Sequence, residues 1–140
     1  MTRPIIDASV ALNWFLSSEH TPASLALLET EHIRAPDILT AEVRGVLRSL
    51  ASTGDISTVV LSAMERRLGL LAIETLPSDP HLKEAYRLAQ ILSEPIYSCI
   101  YLALAMATDA PLVTSDRRFY SAVRRVGATG GQVRFVGEEV

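Results

Sequence analysis

Apolar residues along this chain fall into two alternating kinds of run. Short, nearly unbroken ones occur at "PII" (4–6), at 33–35, at "LLAIETL" (70–76), at "PLVTSD" (111–116) and at "QVRFV" (132–136), and they read as strands. Between them lie longer segments whose apolar positions recur at helical spacing. The first covers 9–16. The second follows Thr21 and Pro22, a cap and first-turn pair, and carries Leu25 and Leu28. A third, capped by Asp37 and reaching about Ser52, puts Leu39, Val43, Val46, Leu47 and Leu50 on one face. Further helices are predicted over 58–68, over "HLKEAYRLAQIL" between Asp79-Pro80 and Ser93-Glu94-Pro95, over 97–107 and over 117–126. Gly54-Asp55 and "GATGG" are turns.

Helices alternating with apolar strands predict a three-layer α/β/α domain with a mainly parallel central sheet. The order of the strands is not contained in the pattern. A length of 140 residues with 49% hydrophobic content suits one domain over 1–140 with one sizeable core. No apolar run reaches the roughly 18 residues a membrane span needs. Asp7 interrupts the N-terminal apolar stretch before it could act as a signal peptide, so a cytoplasmic protein without membrane contact is expected. A single cysteine, Cys99, excludes an internal disulfide, and with three scattered histidines it excludes the usual zinc sets.

A net charge of −3 excludes a strongly basic nucleic-acid wrapper but not a nuclease, whose metal site needs clustered acids. Only one of the 13 basic residues, Lys83, is a lysine. Arginine forks pair with phosphate in a bidentate way that lysine cannot match. Arg44/Arg48, Arg66/Arg67, Arg117/Arg118 and Arg124/Arg125 are therefore either phosphate contacts or a solvated surface.

The acids narrow the choice. Asp7 and Asp116 each directly follow a strand and precede a helix. Ligands of open parallel sheets bind outside the carboxyl ends of the strands, so these aspartates converge if their strands are neighbours. Each is equally suited to capping its helix. Glu42 stands at the border of the buried face of its helix, where a glutamate is costly unless it is paired or bound to a cation. Three acids without a His/Cys cluster fit a hard divalent cation and metal-assisted phosphodiester hydrolysis. Other chemistries are poorly served. No G-x-S-x-G occurs, "GATGG" lacks the Lys-Ser/Thr of a phosphate loop, and Ser9 stands where an aspartyl phosphotransferase carries its second acid.

The segments "IIDASVALNWFL", "APDILTAEVRGVL" and "YSCIYLALAMATDAPLVTSDRRF" resemble, in order and spacing, the PIN-domain ribonucleases, and particularly the VapC-type toxins of bacterial toxin–antitoxin pairs. The resemblance covers nearly the whole chain. It implies a PIN-like α/β/α fold, Mg2+- or Mn2+-dependent cleavage of RNA, a homodimer and a cognate VapB-like antitoxin. Carried over by position, Asp7, Glu42 and Asp116 match three acids of the metal site, and Ser9 and Thr114 match hydroxyl positions that support them. Two positions depart from the family pattern. Ser98 stands where a further aspartate is expected, and Gly45 replaces a frequent asparagine three residues after Glu42.

A hydroxyl at 98 removes one negative charge and predicts weaker cation binding. It equally suits a helix cap. Glu94, four residues earlier, is the nearest acidic substitute. The chain is then a working ribonuclease with an altered site, or a catalytically impaired relative, natural or engineered at 98, that binds antitoxin or RNA. A different class, a pure interaction module, would use an apolar groove between the first two helices lined by Trp14, Leu25 and Leu28. Which RNA is cut depends on loop shape and groove charge and is not written in the residue list.

Overall fold

The structure, a computed structural model, describes residues 3–138. The chain runs β1 (Ile5–Ile6), α1 (Ala8–Leu12), α2 (Thr21–Thr30), β2 (Arg34–Pro36), α3 (Leu39–Ser52), α4 (Thr58–Leu70), β3 (Glu74–Leu76), α5 (Leu82–Leu92), α6 (Ile96–Ala107), β4 (Leu112–Thr114), α7 (Arg117–Arg125) and β5 (Val133–Phe135). Short 3-10 turns, Asp79–His81 and Gly130–Gln132, precede α5 and β5. The strands form one sheet in the order β3-β2-β1-β4-β5, and every pairing is parallel. Helices cover both faces, giving the expected PIN-like α/β/α sandwich.

β1 lies at the centre, with Ile5 opposite Arg34 on one side and opposite Leu112 on the other. The chain steps outward from β1 to β2 and β3, then returns to place β4 on the other flank. That reversal is where a doubly wound sheet opens a crevice at its carboxyl edge. It also puts the residues after β1 and β4 side by side, because Ile6 pairs with Val113.

The core is built around α6. From Cys99 to Ala105 every residue of "CIYLALA" is buried, against β1, β2 and β4 on one side and α5 on the other. An all-apolar helix without a polar stripe can only be accommodated in such a position. Among the described residues no single helix is long and apolar enough to cross a membrane.

The structure corrects several predicted element ends. The first helix stops at Leu12, not at 16. Asn13 turns the chain there by donating from Nδ2 to the hydroxyls of Ser24 (2.9 Å) and Ser115 (3.0 Å), and Trp14 Nε1 donates to the Ser24 carbonyl at 2.7 Å. Thr21 is the first residue of α2 and not its cap. Its hydroxyl donates backwards to the Asn13 carbonyl and accepts from Ser18 N–H, closing the α1–α2 loop. Asp37 does not cap α3, whose N-cap is Ile38. Its carboxylate instead accepts from Ser78 N–H and Oγ, joining the loops that follow β2 and β3. Of "LLAIETL" only Glu74–Leu76 is strand, because α4 continues to Leu70.

Gly45 lies inside α3 with ordinary helical backbone, and a Cβ built on it meets no atom within 4 Å. Neither turn geometry nor close packing requires a glycine here. Gly45→Ala should therefore stabilise the domain by about 1 kcal/mol, read as a shift of the urea midpoint at unchanged m.

Candidate active site

Asp7 is the first residue beyond β1. Its N–H continues the ladder to the Val113 carbonyl at 3.3 Å, and its carboxylate caps α1 by accepting from Val10 N–H at 3.2 Å. Two hydroxyls complete its surroundings. Ser9 Oγ donates to Oδ1 and Thr114 Oγ1 to Oδ2, each at 2.5 Å. The same hydroxyls accept from the backbone beyond β4, Ser9 Oγ from Ser115 N–H (2.9 Å) and Thr114 Oγ1 from Asp116 N–H (3.0 Å). Ser9 and Thr114 thus tie the carboxyl ends of β1 and β4 together and fix the Asp7 side chain between them.

Asp116 caps α7, accepting from Phe119 N–H at 3.2 Å, and its side chain is exposed. The capping roles of Asp7 and Asp116 therefore coexist with their places at the strand ends. Glu42, half-buried in the first turn of α3, accepts a short hydrogen bond at Oε1 from the buried Tyr101 hydroxyl. Ser98 is the third residue of α6 and not its cap, which is Pro95. Among the described residues the Ser98 hydroxyl has no hydrogen-bond partner. Asp7, Ser9, Glu42, Ser98 and Asp116 line one cleft of about 180 Å³, with Ala8, Leu12 and Tyr101 completing its walls. Thr114 lies behind Asp7, buried.

The cleft is electrostatically uncompensated. None of its lining residues is basic, and among the described residues none of its three acids forms an ion pair. Arg44 and Arg48, the nearest in sequence to Glu42, both turn to Glu65 of α4, at 3.7 and 3.0 Å. Burial pushes the Asp7 carboxyl up to about 6, outweighing the Ser9, Thr114 and Val10 hydrogen bonds, and the charge of Asp116 adds to the rise. Burial likewise raises Glu42, against the pull of its bond from Tyr101. Tyr101 is held far above the usual phenol range by burial first and by Glu42 next, so its hydroxyl stays a donor.

The raised Asp7 pKa has a consequence for stability. Between the unfolded value near 3.8 and about 6, the folded chain holds a proton that the unfolded chain has lost. Stability without metal should therefore fall as pH rises through that window, by about 3 kcal/mol in total. Urea titrations at a series of pH values in a chelator test the sign, and saturating Mg2+ should remove or reverse the slope.

Among the described residues, no three His, Cys, Asp or Glu side chains stand close enough to hold a cation between them. The physical reason is visible in the bonds. Both Asp7 oxygens are turned to hydroxyls, one Glu42 oxygen is turned to Tyr101, and one Asp116 oxygen caps α7 at Phe119 N–H. The three acids share the cleft without forming a closed cage. Even so, the donor set fits a hard divalent cation: oxygen only, with buried negative charge that lacks a counterion.

Other sequence candidates lie elsewhere. Glu94 does not line the cleft. Its side chain is nearly buried and pairs with Arg118 at 3.5 Å. Trp14 is core, 5% exposed, so the supposed groove with Leu25 and Leu28 has no indole wall to offer. Arg117 stacks over Phe135 at 3.6 Å and Arg67 over Phe15 at 5.5 Å. Sequence reasoning gave no role to Tyr101, Asn13 or Ser115. The one available signal was Tyr101's place three residues after Ser98, which puts both on one face of α6.

The PIN domain family matches residues 5–124 of this chain. Ribonuclease VapC1 of Mycobacterium tuberculosis, in two strains, is 31% identical over 123 residues, covering 87% of this chain and 92% of the relative. Among solved structures, PAE2754 from Pyrobaculum aerophilum matches with a TM-score of 0.70 at 21% identity, over 96% of this chain and 90% of that one. VapBC2 from Rickettsia felis, bound to a DNA fragment from their promoter, matches at 0.61 and 13%, over 94% and 97%. These two structural likenesses concern the fold.

Proposed function

Because the chain belongs to the PIN-domain family, we propose that it is a VapC-type endoribonuclease that hydrolyses RNA phosphodiester bonds with the help of Mg2+ or Mn2+. The observation that carries this reading is Asp7: a buried carboxylate at the switch point of the sheet, fixed by three donors and, among the described residues, without a cationic partner. Asp7, Glu42 and Asp116 would hold the cation, with water and substrate phosphate supplying the ligands that the open arrangement leaves free. When bound, it would neutralise the scissile phosphate and lower the pKa of a water.

The chain's own residues prepare that site. Ser9 and Thr114 hold both Asp7 oxygens in place, and Tyr101 occupies Glu42 Oε1, leaving Oε2 without a hydrogen-bond partner among the described residues and free to accept a proton. Ser98 supplies an uncommitted hydroxyl that can donate to a phosphate oxygen or a water, where a carboxylate could only accept. A second reading, a catalytically impaired module that binds RNA or antitoxin, is favoured by this same hydroxyl. Incubating the chain with RNA in Mn2+, beside Ser98→Asp, separates the two: cleavage by the aspartate form alone supports the second. The relative's name also supports a VapB-like antitoxin as partner, and the family supports a homodimer. Co-purification with the product of an adjacent small gene, and sedimentation of the isolated chain, test these.

A further inference from the structure

A second groove, of about 380 Å³, opens directly from the cleft and shares Ala8 and Glu42 with it. Its floor is one face of α3, where Gly45, Val46, Ser49 and Leu50 follow Glu42 over two helical turns. Val46 is 40% exposed, an apolar side chain left open to solvent beside the acids. The two arginines of α3, Arg44 and Arg48, are turned away to Glu65, so nothing basic lines the groove. It is apolar where the cleft is charged.

Gly45 sets the depth. A glycine is the destabilising choice in a helix interior, and here no turn, contact or positive φ asks for one. What its missing side chain does is keep the groove open next to Glu42. Ser49, whose hydroxyl has no partner among the described residues, offers one polar contact on the same face.

We propose that this groove is the subsite for an unpaired nucleobase of the RNA strand, beside the scissile phosphate, with Gly45 as the residue that admits it. The inference rests on the ribonuclease reading above. The shared walls Ala8 and Glu42 put the groove next to the cleft that would hold the reacting phosphate. At about 380 Å³ the groove has room for one base with water around it. Proteins that read single-stranded RNA take unstacked, splayed bases and hydrogen-bond their edges, and here Ser49 and Glu42 are the polar groups an edge would meet. The absence of arginine from the groove argues against a second phosphate there.

The test uses the whole chain and Gly45→Leu, which fills the groove from a position where added atoms meet open space. Binding of short phosphorothioate RNAs in Mn2+ is measured by fluorescence anisotropy, intact and with single abasic positions along the strand. Filling the groove should weaken the intact RNA roughly ten-fold. An RNA abasic at one position should bind both proteins equally, and Mn2+ affinity and melting temperature should not fall. Equal binding of intact RNA by both proteins overturns the proposal. So does a loss that no abasic position relieves, or an effect confined to a protein partner. If the unmodified chain binds Mn2+ but no RNA, the ribonuclease reading itself fails.

Discussion

Ser98→Asp should raise Mn2+ affinity by about two orders of magnitude. A carboxylate facing a dication at about 4 Å gains roughly 8 kcal/mol at an effective dielectric near 20, most of which desolvation and repulsion from neighbouring acids offset. A surviving third is about 3 kcal/mol, which corresponds to the hundredfold. The position is favourable for the change. Residue 98 lies in the first turn of α6, where an acid complements the helix dipole, and among the described residues its present hydroxyl has no hydrogen-bond partner. Without metal the new charge meets Asp7, Glu42 and Asp116 across the cleft, so the metal-free variant should be less stable at neutral pH. Calorimetric titration reads the affinity, and RNA cleavage at limiting Mn2+ should rise with it. An unchanged affinity would place residue 98 outside the cation's reach.

Asp7→Asn should act in the opposite sense on both quantities. Asparagine can still cap α1 and accept from Ser9, while Thr114 can reverse from donor to acceptor. What disappears is the buried charge, whose desolvation raises the Asp7 pKa. The metal-free variant should therefore be more stable than the parent at neutral pH by up to about 3 kcal/mol, with the slope between pH 4 and 6 gone. Metal binding and RNA cleavage should fall by a thousandfold or more, since an anchoring carboxylate is worth several kcal/mol (~10³ or above). A protein that gains stability while losing function marks Asp7 as a site residue rather than a fold residue. Loss of stability without loss of cleavage would reverse that conclusion.

Much of this was legible in the chain itself. The alternation of apolar runs and helical periods announced the layered fold, and strand ends at Asp7 and Asp116 announced the crevice. The pairing of β1 with β4 was the missing step, because residues more than a hundred positions apart leave no local trace of being neighbours. Capping was misread where side chains found more distant partners. Asp37 and Thr21 both have the chemistry of caps, but tertiary geometry assigned their oxygens to Ser78 and Asn13. Ser98 shows the converse: a residue suited to capping that sits three positions too deep in its helix to do so. Tyr101 was hidden by its setting, a phenol within an aliphatic run whose only polar atom finds Glu42 from another helix. The openness of the three acids was equally out of reach, because it depends on which neighbours their individual oxygens choose.

The most direct measurement is cleavage of single-stranded RNA by the purified chain at saturating Mn2+, with a matched reaction in excess EDTA and a third using Asp7→Asn. Fragments should form in the first reaction and be absent from the other two. Cleavage that persists in EDTA or with Asp7→Asn, or none by either the unmodified chain or Ser98→Asp, would contradict a metal-dependent ribonuclease centred on this cleft.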